Sequence, residues 1–361
     1  MEREARLGAI WRAALNADTV GSDDDFFDLG GDSLMAVGLF LEIEREFGVK
    51  LPVTAIYDAP TIASQLDMIE AETAPGFSHL VRLKDGCERA PFFLVHGVGG
   101  TVIEFTTLGR KLETERAVYA VQARGLDGAE PPLDRVEHMA ALYVDILRHK
   151  QPEGPYHIGG YSFGGVVAME MARLLGPENV ARLVMIDAFA HPHSWPLKSK
   201  AKLRARKLLS RARAFARRPV YEVRGFVQRR KVDRATYINS WLGAVDPNLP
   251  LALRQTRIAG DAALIAFTPK PYAGRADFIR AGRIGTVFPS DPRNVYRALV
   301  AELALQTTQG DHRSILGEHA GELARRIDTL LSAPIARAPK PEPAGAWAPF
   351  PVQSDAAQAR G

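Results

Sequence analysis

Through the first 70 residues the apolar side chains recur at helical spacing. Leu7, Ile10, Trp11, Ala14 and Leu15 share one face of the segment 3–16. Leu34, Val37, Leu41 and Phe47, with Phe40 and Ile43, do the same over 33–47. A loop with a run of Asp and Gly separates the two, and a short helix over about 61–71 starts after Pro60. Residues 71–77, AETAPGF, carry the turn residues of a linker. From about 78 to 331 the period changes. FFLVHG, AVYAVQAR, YHIGGY, RLVMIDAF, ADFIRAG and LALQTTQ read as strands, with helical patterns between several of them, for example 134–150 and 164–175. This alternation predicts a mostly parallel sheet covered by helices. The stretch 191–265 interrupts it without a clear strand, which predicts a lid or helical subdomain. The last residues, 333–361, are rich in Pro and Ala without periodicity and are expected to be disordered. The expected division is 1–72 helical domain, 73–77 linker, 78–332 sheet domain and 333–361 tail.

Length and composition narrow the class. At 361 residues and 39.5 kDa the chain has room for roughly two domains. Its 46% hydrophobic and 24% charged residues are an ordinary globular mixture, which excludes disorder of the whole chain. Its apolar runs are far shorter than a membrane helix needs, so no membrane partner is expected. The opening MEREARLGAI lacks the plan of a signal peptide. One cysteine, Cys87, excludes an internal disulfide and a thiolate metal cage, so no metal centre and a reducing cytoplasm are expected. Charge is uneven: residues 1–70 hold 5 basic and 14 acidic side chains, net −9, and the remainder is net +13. The two parts therefore attract each other. The basic run from Lys198 to Arg234 reads either as a solvated helix face or as a receiver for the acidic part. No nucleic-acid motif accompanies it, so nucleic acid is not an expected partner.

Two motifs carry chemistry. The first is Asp28-Leu29-Gly30-Gly31-Asp32-Ser33-Leu34, with Ser33 between a glycine-rich turn and an amphipathic helix. A serine there sits at the positive end of a helix dipole, which suits a phosphodiester on its hydroxyl. Asp32 or Ser33 acting only as an N-cap is the plainer alternative. The second motif is Gly160-Tyr161-Ser162-Phe163-Gly164, a G-x-S-x-G between a strand pattern and an apolar helix. That context is the one a nucleophile elbow needs, and it places the Phe163 N–H to stabilise an oxyanion. Serine requires a base, and the chain order of such sites is Ser, acid, His. Asp187 ends the strand-like Leu183-Val184-Met185-Ile186, and His312 follows the last predicted strand in Gln309-Gly310-Asp311-His312. Asp311 is the second choice of acid. His96, in His96-Gly97-Val98-Gly99-Gly100, reads as a structural loop histidine; this loop fails as a dinucleotide fingerprint because Val102 stands where the last glycine would be.

Phe26-Phe27-Asp28-Leu29-Gly30-Gly31-Asp32-Ser33-Leu34 resembles the core motif of acyl and peptidyl carrier domains. HGVGG, VQARGLDG, GGYSFGG, MIDAF and GDH, from about 78 to 331, resemble the type I thioesterase domains of nonribosomal peptide and polyketide synthases. The resemblance implies a small four-helix carrier bundle followed by an α/β hydrolase fold with a helical lid over about 191–265. It implies 4′-phosphopantetheine on Ser33, placed there by a phosphopantetheinyl transferase. It implies a triad of Ser162, Asp187 and His312, with Val98 supplying the second oxyanion N–H. The function expected is transfer of an acyl or peptidyl chain from the carrier thioester to Ser162, then release by hydrolysis, cyclisation or condensation. Upstream synthase modules, in cis or in trans, are the expected partners. Two rivals remain: a carboxylesterase of small diffusible esters, and a carrier scaffold with a silent hydrolase-like domain.

Overall fold

The computed structural model describes residues 2–31, 33–53, 55–71, 77–205, 208, 249–284, 288–289 and 291–334. The linker predicted over 73–77, apart from Phe77, most of the basic run of the insertion and the tail from 335 onward lie outside the described residues.

The amino-terminal part is a bundle of four helices: α1 (Glu2–Leu15), α2 (Ser33–Phe47), α3 (Ala55–Asp58) and α4 (Ile62–Glu70). Its core joins Leu7 and Trp11 of α1 to Leu39, Phe40 and Ile43 of α2, with Phe26, Ile56, Ile62 and Ile69 filling the centre. The polar tip of buried Trp11 is satisfied: its Nε1 donates to Gln65 Oε1 at 2.9 Å, and Gln65 Nε2 donates to the Ala59 carbonyl at 3.0 Å. Helix α4 starts where it does because Thr61 and Ser64 form a reciprocal capping box. The four-residue α3 is too short to leave a periodic pattern.

The larger part is a seven-stranded sheet of β1 (Leu80–Lys84), β2 (Cys87–Val95), β3 (Arg116–Val121), β4 (Tyr156–Tyr161), β5 (Val180–Ile186), β6 (Tyr272–Ala281) and β7 (Val300–Thr308). Its order is β1-β3-β2-β4-β5-β6-β7. All neighbours run parallel except β1, which lies antiparallel to β3 at the edge. The six strands read from the sequence are β2 to β7; β1 escapes because Leu-Val-Arg-Leu-Lys is half exposed and barely alternates. Central strands are buried on both faces, as helix-covered parallel strands are. Along β2, Phe93 and Val95 face the layer of α6 (Val136–Lys150) and α7 (Phe163–Leu175), while Phe92 and Leu94 face α5 (Thr106–Lys111) and the helix Ala320–Ser332.

Within the predicted insertion, residues 197–205 are helical and a helix runs Leu251–Ala266. Of the tail expected over 333–361, only Ala333 and Pro334 are among the described residues. Arg182, on β5, donates to the carbonyls of Ala333 and Pro334 at 2.9 and 2.6 Å, so those two residues are held against the sheet. No helix among the described residues is long and apolar enough to cross a membrane.

Two buried histidines make the fold acid-sensitive. Burial, together with Arg116 and Arg182, holds His157 down at about 4, and burial holds His96 down at about 4 as well. The unfolded chain binds these protons near 6.5, so their contribution to stability is full above that pH and drains away as pH falls toward 4. Glu104, pushed up to about 7, works in the opposite direction over the same window. Replacing His157 by Gln is expected to remove up to about 3 kcal/mol of the loss between pH 6.5 and 4. Urea midpoints of both proteins at pH 7.5 and 4.5 measure it.

Candidate active site and carrier motif

Ser162 sits at the turn from β4 into α7 with φ 55° and ψ −117°, a region where a side chain is strained. Two glycines permit the turn by close approach. A Cβ on Gly160 would lie 2.3 Å from the Gly164 backbone, and one on Gly164 would lie 2.2 Å from the Val95 carbonyl. Strand register levels the ends of three strands here: Val95 pairs with Gly160, and Tyr161 with Ile186. The Ser162 N–H donates to the Ile186 carbonyl at 2.8 Å, fixing the turn to the next strand.

Asp187 follows β5 directly, with φ 44°, and its N–H donates to the Ile279 carbonyl at 2.8 Å. The three predicted residues meet. Ser162 Oγ is 3.0 Å from His312 Nε2, and His312 Nδ1 is 2.7 Å from Asp187 Oδ2. The other Asp187 oxygen accepts the Ala281 N–H at 3.1 Å, so the buried carboxylate has both oxygens engaged. Asp311, the second choice of acid, does not reach the imidazole ring. Its carboxylate accepts the Ser314 and Arg313 N–H groups at 3.1 and 3.2 Å, and these bonds hold it below the usual carboxylate range.

Among the described residues the Val98 N–H has no hydrogen-bond partner, and Phe163 opens α7, where N–H groups lack intrahelical acceptors. Both predicted oxyanion N–H groups are thus free to donate to a ligand. His96 is buried, neutral and bonded through Nε2 to the Tyr143 hydroxyl at 2.6 Å, as a structural histidine should be. Sequence reasoning missed Tyr161. Its hydroxyl donates to the His312 carbonyl, and its ring stacks on the imidazole with centroids 5.0 Å apart. The signal was an aromatic beside the serine inside the G-x-S-x-G itself.

Ser33 is the first residue of the 15-residue α2, whose first turn carries no acidic side chain. The turn before it is closely packed: a Cβ on Gly31 would lie 2.3 Å from the buried Phe26 ring. Asp32 lies outside the described residues. A helix N-terminus, with its unpaired N–H groups, fits a phosphate ester.

The same loop meets the larger part. Arg110 on α5 pairs with Asp25 at 2.5 Å and with Asp28, and its guanidinium lies 5.2 Å from the Phe27 ring centre. Asp25 also accepts the Phe27 N–H at 2.8 Å, which ties the loop's shape to the contact. On α3, the Tyr57 hydroxyl bonds the Val102 carbonyl at 3.0 Å and Thr106 Oγ1 at 2.7 Å. The attraction between acidic and basic parts therefore acts at Arg110. The described lysines and arginine of the basic run, Lys198, Lys200, Lys202 and Arg204, form no ion pair with the bundle. An apolar cavity of about 610 Å³ lies alongside, between Phe40 and Leu51 of the bundle, Ile103 and Leu126 of the larger part, and Leu253 of the helix Leu251–Ala266.

Comparison with known proteins finds a family match in each part of the chain. Residues 5–69 match the phosphopantetheine attachment site family, and residues 90–239 match the thioesterase domain family. Ser33, Ser162 and Asp187 lie within the matched ranges and His312 beyond them. Indigoidine synthase of Streptomyces lavendulae is 36% identical over 188 residues, covering 51% of this chain and 15% of that protein. A dimodular nonribosomal peptide synthase of Bacillus subtilis (strain 168) is 36% identical over 199 residues, covering 54% and 8%. The chain thus spans less than a fifth of the length of these relatives. A holo four-domain nonribosomal peptide synthetase, bound to AMP and glycine, superposes with a TM-score of 0.57 at 28% identity over 92% of this chain and 26% of that one. The NocB thioesterase domain shares the fold at TM-score 0.52 and 22% identity, over 71% of this chain and all of that one. The chain carries a phosphopantetheine-attachment carrier domain followed by a thioesterase domain.

Proposed function

We propose that this chain releases an acyl or peptidyl group from its own carrier domain, with Ser162 as nucleophile, His312 as general base and Asp187 as the group that orients it. The observation that carries the reading is the continuous relay from Ser162 Oγ through His312 to Asp187, at 3.0 and 2.7 Å, in a chain that also bears a carrier domain. The carrier domain spans 1–72 and the thioesterase 78–332. Ser33 holds 4′-phosphopantetheine, which supplies a thiol that keeps the chain to be released as a thioester. A phosphopantetheinyl transferase modifies Ser33, and synthase modules, in cis or in trans, load it. The free, exposed thiol of Cys87 suits a reducing cytoplasm.

Ser162 Oγ attacks the thioester carbonyl as its proton passes to His312 Nε2. Asp187 stays ionised against Nδ1–H and stabilises the imidazolium. The oxyanion is received by the Phe163 and Val98 N–H groups, a class of donor worth about 2.7–4 kcal/mol each. His312 returns the proton to the leaving thiol, and the acyl group remains on Ser162 as an ester. His312 then takes a proton from water, or from a hydroxyl or amine of the bound chain, as that group attacks the ester carbonyl; the bond from the acyl carbon to Ser162 Oγ breaks, His312 returns the proton to Oγ, and the chain leaves as acid or ring. Phe288 packs beside the base, its ring centre 5.1 Å from that of His312.

Intact-protein mass spectrometry of acyl-loaded protein tests the reading. The wild type should shed its acyl group, and Ser162→Ala should keep it on Ser33. Ser33→Ala should never gain the pantetheine mass. Loading of Ser33→Ala, or shedding by Ser162→Ala, would sink the assignment. Asp187→Asn should lower kcat on the order of 10⁴-fold, because its amide N–H must face either the His312 or the Ala281 donor. Release from the loaded carrier should slow as salt rises, and Arg110→Gln should slow it at low salt and weaken the salt response, while turnover of a free small thioester is unchanged. Equal salt responses of the two proteins would remove Arg110 from docking.

A further inference from the structure

Glu104 is a lone charge in an apolar run, Val102-Ile103-Glu104-Phe105, on a turn just after the His96–Gly100 loop. It is half-buried, and its Oε1 accepts the Gly97 N–H at 2.6 Å. The carboxylate lies hard on the loop: a Cβ at Gly97 would meet Oε1 at 2.5 Å. Desolvation pushes this carboxyl up to about 7, while the Gly97 bond and the nearby charges of His312 and Arg257 pull it back.

The turn that carries Glu104 is itself rigid. Ile103 and Phe105 are buried, the Phe105 N–H donates to the Val102 carbonyl at 2.9 Å, and Thr106 Oγ1 donates to the Ile103 carbonyl at 2.7 Å. Tyr57 of the carrier domain bonds both ends of it. On its other side the loop meets the helix Leu251–Ala266, where a Cβ on Gly260 would lie 2.9 Å from the Val98 carbonyl. The loop is therefore held between a packed helix and one carboxyl acceptor, and Gly97, which that acceptor grips, immediately precedes Val98. A short bond from a neutral N–H to a carboxylate is stronger than one to a neutral acceptor.

We propose that Glu104 is a positioning residue for acyl transfer, holding the Gly97 N–H so that the next one, that of Val98, stays in place for the oxyanion. The inference rests on the roles given above to Ser162 and Val98. Loss of the acceptor should act on the transition state and leave ground-state binding alone, because the oxyanion exists only after attack.

The test uses the full chain and an acyl-N-acetylcysteamine thioester, with Glu104→Met, Glu104→Gln and Ser162→Ala beside the wild type. Methionine fills the volume without an acceptor; glutamine keeps an amide oxygen for Gly97. Glu104→Met should lower kcat about 10- to 100-fold with KM within about twofold, on the scale of a displaced oxyanion donor. Glu104→Gln should recover most of that loss, with melting temperatures of both variants close to the wild type. The proposal is overturned if Glu104→Met keeps its kcat, if the loss appears in KM, if Glu104→Gln is no better than Glu104→Met, or if the loss follows a fall in melting temperature that glutamine shares. Turnover by Ser162→Ala would instead remove the mechanism beneath it.

Discussion

The strained backbone of Ser162 is the constraint on which the rest of the site depends. A serine held at φ 55° and ψ −117° persists only because the surroundings leave no alternative. Gly160 and Gly164 bring β4, α7 and the end of β2 to within a few ångström of one another, and any Cβ there would push them apart. The Ser162 N–H is anchored on β5. Cost at one residue is offset by burial along a sheet covered on both faces, where Phe92, Leu94, Ile158 and Val184 are fully buried. The hydroxyl is thereby presented at the carboxyl ends of the strands, the edge where sites of open parallel sheets form.

Much of this was legible in the sequence, for definable reasons. Strands β2 to β6 show as short apolar runs because their inner stretches are buried, and β7, half exposed at one edge, still shows through Leu303, Ala304 and Leu305. The exception, β1, sits at the edge with Arg82 exposed and leaves no such run. Ser162, Asp187 and His312 were named from a motif, a strand end and chain order, and the fold brings them to hydrogen-bonding distance across separations of 125 and 150 residues. Asp311 shows the limit of neighbourhood in sequence: next to the histidine, it caps the turn that presents it.

What stayed hidden was whatever depends on the meeting of distant surfaces. The charge imbalance implied that the two parts attract, yet not that a single side chain, Arg110, would take up Asp25, Asp28 and Phe27 together. Tyr57 looks like one more aromatic near a bundle core until its hydroxyl is found on the turn Val102–Thr106. Glu104 offered a signal, a charge isolated among apolar neighbours, but its acceptor role needs the position of the Gly97 N–H. These are pairings between segments, and no local period encodes them.

The Tyr161 contact has a mechanical consequence. Its backbone adjoins that of Ser162, and its hydroxyl grips the main chain of His312. A breathing motion of the loop around His312 therefore drags on the residue next to Ser162, and the two side chains are tied to a common mount. Displacements that would part independently mounted groups become shared ones, so the contact between Ser162 and His312 is kept while the loop around it moves.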